Sequence, residues 1–149
     1  MSKLMLEPSL TGPSLEQILV ADAMHSGVVT CPFETPLREV AEMMTLYRIH
    51  AVVVFGHEPD DVGKPGLWGV VSDLDLVKVA ATEGIEGETA GGTAASPAVI
   101  VSRSDTLAHA TQLMAEHEMA HLLVVDTKAT RPVGILSTLD VARALAGFR

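Results

Sequence analysis

The chain has 149 residues, a length that suits one compact domain or two half-domains sharing one globule. Its formal net charge is −9, from 10 basic and 19 acidic residues, which argues against a nucleic-acid surface and against docking on anionic lipid. Hydrophobic residues make up 48% of the chain and aromatic residues only 3%, so we expect an aliphatic core. The charge leaves room for a phosphate ligand, because a local basic pair can hold one inside an acidic protein.

The first half predicts a lead-in followed by a strand-helix-strand-strand-helix unit. Residues 1–17 form the N-terminal lead-in, in which Ser14 and Gln17 have the spacing of a capping box that opens a short helix ending near Leu19. The following elements are a strand over 28–31, a helix with Thr35 as N-cap and Pro36 as first residue, strands over 52–55 and 67–71, and a helix over 73–81.

The second half predicts the same order of elements. Residues 83–92 are rich in Gly, Glu and Thr, which is typical of a linker. The following elements are a strand over 99–101, a helix capped by Ser104 or Asp105, strands over 122–125 and 133–136, and a helix over 138–146. We therefore predict an α/β fold with a first repeat over 18–82 and a second over 93–149.

A motif that occurs twice indicates an internal repeat. Gly69–Asp75 reads GVVSDLD, and Gly134–Asp140 reads GILSTLD. Residues 20–47 also align on residues 90–117 without a gap, whereas the next strand has two possible registers, of which we favour the one that places His50 on His121. Neither half is large enough to bury a good core alone, so we expect the repeats to pack on each other with a ligand at their seam.

Cys31 is the single cysteine, so no intramolecular disulfide forms, which suits the reducing cytoplasm where we expect this protein. The first residues contain no apolar segment followed by a small-residue cleavage site, and no run of about eighteen apolar residues occurs. We therefore expect neither a secretion signal nor a membrane span. Cys31 has no basic partner at a fixed spacing, which predicts an inert thiol.

The ordered set of elements, ending twice in Gly-apolar-apolar-Ser-x-x-Asp, resembles a pair of CBS domains, or Bateman module. Val20–Met24 resembles the lead-in of such a domain, and His121–Asp126 resembles its second strand. The second lead-in, Ala90–Ala94, lacks the usual Val…Met pattern, and Val52 and Leu123 stand where the family often has proline. The resemblance implies two tandem β-α-β-β-α repeats packed with pseudo-two-fold symmetry.

The resemblance implies a regulatory binding module and not an enzyme. CBS pairs often bind AMP, ADP, ATP or S-adenosylmethionine in the cleft between their repeats, and they often form homodimers. A stand-alone pair would signal to a separate protein partner and would require no cofactor. The alternative is a ligand-free dimeric interaction scaffold, which the incomplete second lead-in favours. An enzyme is disfavoured, because the sequence has no Walker-type loop, Gly-x-Ser-x-Gly elbow or His-Glu-x-x-His motif.

The duplicated pairs Ser72/Asp75 and Ser137/Asp140 are the leading ligand-binding candidates. A carboxylate can accept hydrogen bonds from both ribose hydroxyls, and a hydroxyl at a helix start lies among backbone N–H groups that favour phosphate. The same spacing also forms a cap without any ligand, and both roles can coexist.

Further candidates lie near these pairs. Lys78 and Arg143 each follow an aspartate by about one helical turn and are possible phosphate contacts, although such residues are more often solvated. Gly69 and Gly134 are expected to permit close approach of a strand or a ligand. The remaining candidates are apolar walls for an adenine ring and polar or strand residues beside the motifs, namely Val28, Val29, Val99, Ile100, His50, His121, Leu122 and Thr138.

Three histidines, His109, His117 and His121, raise the question of zinc, since a neutral imidazole is a good zinc ligand. His117 is predicted on a helix and His121 at the start of a strand, so they do not form a pair on one helical face. No cysteine lies near them in the sequence. We therefore expect no metal site.

Overall fold

The structure, a computed structural model, describes residues 14–56, 68–94, 98–128 and 131–147. The predicted lead-in over 1–13 and Leu67 of the predicted strand 67–71 lie outside these ranges. In chain order the elements are α1 (Val20–Ala23), β1 (His25–Ser26), β2 (Thr30–Pro32), α2 (Leu37–Tyr47), β3 (Ala51–Phe55), β4 (Trp68–Ser72), α3 (Asp73–Thr82), α4 (Ala90–Thr93), β5 (Ile100–Ser102), α5 (Leu107–His117), β6 (His121–Asp126), β7 (Arg131–Ser137) and α6 (Thr138–Leu145). Strand, helix, strand, strand and helix follow one another twice, which confirms the predicted α/β fold with two tandem repeats.

The chain divides into two compact units. The first unit consists of residues 28–99, and the second combines residues 1–27 with residues 100–149. Within the described residues, no helix has the length and apolar character needed to cross a membrane.

The first unit is built on a three-stranded sheet in the order β2-β3-β4. Strand β2 runs parallel to β3, and β4 runs antiparallel to it. Helix α2 buries Leu37, Val40 and Met44, which share one face at helical spacing. They belong to one hydrophobic cluster with Val52 and Val54, which alternate along β3 and therefore share one face of the sheet.

The second unit is built on a four-stranded sheet in the order β1-β7-β6-β5. Residues 18–27, which we name the lead-in segment, were predicted to begin the first repeat, but they belong to this unit. Strand β1 pairs antiparallel with β7, and Leu19 forms a bridge with Thr106. The backbone N–H of Val20 donates to the carbonyl of Asp105 at 2.8 Å, and the Val20 side chain is fully buried. These long-range hydrogen bonds hold the lead-in segment on the second repeat.

The segment before the second repeat belongs in the same way to the first unit. Pro36 forms a bridge with Thr89, and the N–H of Leu37 donates to the carbonyl of Glu88 at 2.9 Å. Ala90 is completely buried in the hydrophobic cluster of the first unit. Backbone pairing between distant segments therefore determines which residues each compact unit contains. The predicted boundaries describe the sequence repeat instead and stay a prediction, namely 1–17, 18–82, 83–92 and 93–149.

Several predictions of where a helix begins, or of which residue caps it, are wrong. The N–H of Ser14 donates to Oε1 of Gln17 at 3.2 Å, which is one arm of the predicted capping box, but these residues form a turn and the first helix begins only at Val20. The N-cap of α5 is Thr106, because the Asp105 carboxylate instead accepts the N–H of Ser102 at 2.9 Å.

Two further helix starts also differ from the prediction. The N-cap of α2 is Pro36 instead of Thr35. The predicted linker 83–92 contains the start of α4, which is capped by the Thr89 hydroxyl. The start of α2 depends on a distant contact, the bridge between Pro36 and Thr89, which a local spacing pattern does not contain.

The favoured register of the central strands is also wrong. Ala51 pairs with Ser72 in the first unit, and His121 pairs with Ser137 in the second, so Ala51 and not His50 corresponds to His121. The reason is that consecutive residues are buried in both strands, Ala51–Val54 in β3 and Leu122–Val124 in β6, so these apolar runs show no alternation from which the register could be predicted.

Candidate functional site

The first candidate site lies where β4 passes into α3. Ser72 is the N-cap of α3, and its hydroxyl accepts the N–H of Asp75 at 3.2 Å. The Asp75 carboxylate accepts the N–H of Ser72 in return, at 2.9 Å. This reciprocal pair is a capping box, which fixes both side chains at the start of the helix. We name this place the Asp75 corner.

The second copy repeats the arrangement where β7 passes into α6. The Ser137 hydroxyl accepts the N–H of Asp140 at 3.2 Å, and Asp140 Oδ2 accepts the N–H of Ser137 at 2.8 Å. We name this place the Asp140 corner. The capping role that the Ser-x-x-Asp spacing allows is therefore present in both copies.

The two corners differ in what surrounds the carboxylate. The Asp140 side chain is only 1% exposed, and Nδ1 of His25 lies 2.9 Å from its Oδ1 atom. The guanidinium of Arg143 approaches the same oxygen at 4.0 Å, as the helical spacing predicts. Asp75 is half-buried, and the only hydrogen bonds described for its side chain and its N–H are those of its own capping box.

Asp73, the first residue of α3, gives the Asp75 corner a second carboxylate. Asp73 is exposed, and its Oδ2 atom lies 2.9 Å from Nδ1 of His50. The equivalent position in α6 is Thr138, which is exposed and uncharged. The start of α3 therefore carries two acidic side chains, whereas the start of α6 carries one.

The structure distributes the other candidates over the two units. The first unit contains the exposed side chains of His50 and Lys78. It also contains three half-buried valines, Val28, Val29 and Val99. The second unit contains the exposed Ile100, Thr138 and Arg143, the half-buried His121, and Leu122. Leu122 is completely buried, so its side chain belongs to the core of this unit and offers no surface to a ligand.

His25 is the residue of these corners that sequence reasoning did not place there. It precedes Asp140 by 115 residues, and no local spacing relates the two. The signal would have been the pairing of the lead-in segment with β7, which puts His25 opposite Ile135. The expected close approach at Gly134 is confirmed, because a Cβ atom there would meet the backbone of His25.

Cys31 is buried in the hydrophobic cluster of the first unit. Its burial raises the pKa of the thiol, and the negative charge of Glu39 raises it further, while a hydrogen bond with Thr35 acts in the opposite direction. The thiol is thus protonated near neutral pH. Among the residues that the structure describes, no three His, Cys, Asp or Glu side chains are grouped so that they could hold a metal ion.

Comparison with known proteins places this architecture in a family. The family model for the CBS domain matches residues 20–82 and residues 94–147. The CBS domain-containing protein YhcV of Bacillus subtilis (strain 168) is 27% identical over 124 residues, which cover 83% of this chain and 82% of that protein.

Two solved structures have the same fold. The CBS domain pair of protein MJ0100, in complex with 5′-methylthioadenosine and S-adenosyl-L-methionine, aligns with a TM-score of 0.71 at 21% identity and covers 87% of this chain and 96% of that one. CBSX2 in complex with AMP aligns with a TM-score of 0.69 at 22% identity and covers 89% of this chain and 99% of that one. Since the family model matches most of the sequence in two separate stretches, this chain belongs to the CBS domain family and contains two CBS domains.

Proposed function

We propose that this protein is a regulatory module that binds an adenosyl compound through its CBS pair and signals to a separate protein partner in the cytoplasm. The adenosyl compound is AMP, ADP, ATP or S-adenosylmethionine. The observation that carries the proposal is the Asp75 corner, where a capping box holds a half-buried carboxylate in the first turn of α3. The adenosyl ligands of MJ0100 and CBSX2 support the choice of ligand class.

The geometry of Asp75 suits a ribose. Its Oδ2 atom accepts the N–H of Ser72, and no hydrogen bond to Oδ1 is found among the described residues. An ionised carboxylate has about four acceptor positions, so both vicinal hydroxyls of a ribose can donate to the remaining ones. The capping box removes the rotational freedom of the side chain before the ligand arrives, which lowers the entropic cost of binding.

The direct test is calorimetry of the purified protein with AMP, ADP, ATP and S-adenosylmethionine. We expect at least one of them to bind, and a free ligand concentration of 100 times the dissociation constant should raise the free energy of unfolding by about 2.7 kcal/mol. Asp75→Asn should lose this binding. Asp126→Asn is the matched control, because Asp126 also accepts a backbone N–H, that of Lys128, but lies at the end of β6 in the second unit.

The outcome of this test separates the proposal from its main alternative. If none of the four compounds binds to the folded protein, the sensing role is wrong. The ligand-free dimeric scaffold would then be the better hypothesis. A ligand that binds equally well to Asp75→Asn would retain the sensing role but remove Asp75 from the site.

The exposed apolar residues on the helices support a homodimer under either hypothesis. Leu46 on α2 is 73% exposed and Val77 on α3 is 62% exposed, and α2 contacts α3 within the first unit. Exposed apolar side chains that group on neighbouring helices are typical of protein–protein interfaces. We therefore propose that the protein is a homodimer, with a molar mass in light scattering twice that of the 15.7 kDa chain. Leu46→Glu combined with Val77→Glu should shift that mass toward the monomer, with Glu116→Gln on the exposed face of α5 as the control.

A further inference from the structure

The Asp140 carboxylate has no accessible edge in the described structure. Its Oδ2 atom accepts the N–H of Ser137 and lies 3.2 Å from Nδ1 of His25, while its Oδ1 atom lies 2.9 Å from the same nitrogen. The imidazole thus lies across both oxygens. A ribose diol donates to the exposed edge of a carboxylate, and at 1% exposure that edge is covered.

The backbone of β1 places His25 over this carboxylate. His25 pairs with Ile135, and the next residues continue the ladder, since the N–H of Gly27 donates to the carbonyl of Val133 at 2.7 Å. Gly134 makes the close approach of this strand possible, because any Cβ there would clash with the His25 carbonyl. The position of the imidazole is therefore built into the sheet of the second unit.

The imidazole itself is not trapped by this arrangement. The His25 side chain is 62% exposed, so it can rotate into water while the backbone of β1 stays paired. Removing the ring would uncover Asp140 without removing a strand. This exposure makes His25 a removable cover, in contrast to the buried core residues around it.

The second lead-in has a different residue at the position of His25. In the ungapped alignment of residues 20–47 on residues 90–117, the residue that corresponds to His25 is Ala95. An alanine side chain has no atom that can donate to a carboxylate. The two repeats thus differ in sequence at the position of His25.

We propose that His25 closes the Asp140 corner, so that this CBS pair presents one accessible carboxylate, Asp75, to an adenosyl ligand. The inference rests on the proposed function and specifies it: one ligand binds per chain, and His25 is the residue that sets this number. Ligand at the Asp140 corner would have to displace the imidazole, which costs a hydrogen bond to a buried carboxylate.

The test is the stoichiometry of binding to the full chain, measured by calorimetry with S-adenosylmethionine and with AMP as probes. We expect one site per chain in the unmodified protein and no binding to Asp75→Asn. We expect the double variant His25→Ala/Asp75→Asn to regain binding, because the Asp140 corner is then uncovered. Two sites per chain in the unmodified protein, or no recovery in the double variant, would overturn the closure by His25 while leaving the sensing role intact.

A second measurement tests the closure without any ligand. Unfolding midpoints of His25→Ala, Asp140→Asn and their double variant should be non-additive, since both changes remove the same contact. The pair His25→Ala and Asp75→Asn should be additive and serves as the control. Additive effects at His25 and Asp140 would overturn the closure. Absence of binding by every variant would overturn the proposed function together with the single-site assignment.

Discussion

A Cβ atom on Gly134 would lie 2.4 Å from the carbonyl oxygen of His25. No side chain fits at that distance, so Gly134→Ala must push β1 away from β7 or distort both strands. We expect a loss of about 1–3 kcal/mol in the free energy of unfolding, the range for overpacking a close contact. Urea denaturation of the variant measures this loss.

Gly92→Ala is the control for Gly134→Ala. Gly92 lies in α4, where an added Cβ would approach only the Thr89 hydroxyl, at 3.2 Å. Glycine costs about 0.5–1 kcal/mol relative to alanine inside a helix, so this variant should be neutral or slightly more stable. Equal losses in the two variants would mean that the close approach of β1 to β7 is not what requires glycine at 134.

Gly91 of the second lead-in lies against the ring of Phe33. A Cβ on Gly91 would lie 2.1 Å from the Phe33 ring, and the N–H of Gly91 donates to the Phe33 carbonyl at 2.8 Å. Gly91→Ala should therefore destabilise the first unit by about 1–3 kcal/mol in thermal or urea unfolding.

Removal of the Phe33 ring should abolish most of the destabilisation that Gly91→Ala causes. In a Phe33→Ala background, Gly91→Ala should cost little, because the added methyl group then meets no aromatic carbon. The double-mutant cycle measures this coupling. A cost for Gly91→Ala that is the same with and without the ring would show that the backbone, and not Phe33, requires glycine.

The order of the elements could be predicted from the sequence, because the apolar residues of each helix or strand form a local pattern. The helical spacing of Leu37, Val40 and Met44 and the apolar strand Val52–Phe55 are local signals, and the structure confirms the elements that contain them. The doubled Ser-x-x-Asp motif likewise predicted the start of two helices. Both the capping role and the position at a strand-to-helix corner follow from a few adjacent residues.

The features that the sequence did not reveal depend on distant partners. Pro36, the N-cap of α2, forms a bridge with Thr89, which lies far along the chain. The lead-in segment pairs with β7, more than a hundred residues away, and this pairing brings His25 to Asp140. A pattern of neighbouring residues contains no information on such a choice of partner.

The buried thiol of Cys31 predicts a pH dependence of both reactivity and stability. Because burial raises its pKa above the ordinary value of 9.0, the folded state holds the thiol proton more tightly than the unfolded state does. Alkylation by iodoacetamide at pH 8 should be at least about tenfold slower in the folded protein than after denaturation, since the reaction needs an accessible thiolate.

The sign of the stability effect follows from the same shift. The contribution of the protonated Cys31 thiol to the free energy of unfolding is fully present below pH 9.0. It is lost as the pH rises through the raised pKa of the thiol in the folded state. Urea unfolding between pH 7 and pH 10 should therefore show a decline that Cys31→Ala lacks. Rapid alkylation of the folded protein at pH 8 would contradict the burial of the thiol.

The start of α3 predicts a preference among adenosyl ligands at the Asp75 corner. Its first three N–H groups are already bonded: that of Asp73 to the His50 carbonyl, that of Leu74 to the Asp73 carboxylate, and that of Asp75 to the Ser72 hydroxyl. A phosphate would find none of these three backbone N–H groups free and would meet two carboxylates. The sulfonium and ammonium groups of S-adenosylmethionine would meet the same carboxylates as partners of opposite charge.

We therefore expect S-adenosylmethionine to bind more tightly than ATP, and Asp73→Thr to reverse part of this preference. Threonine is the residue that α6 has at the equivalent position, Thr138, so the helix start should tolerate it. Loss of one negative charge should tighten AMP or ATP binding by about fivefold and weaken S-adenosylmethionine binding by a similar factor, with both effects shrinking as salt is raised. Asp73→Glu retains the charge and is the control in these titrations. If Asp73→Thr changed all ligands by the same factor, the charge at this turn would not determine which adenosyl compound binds.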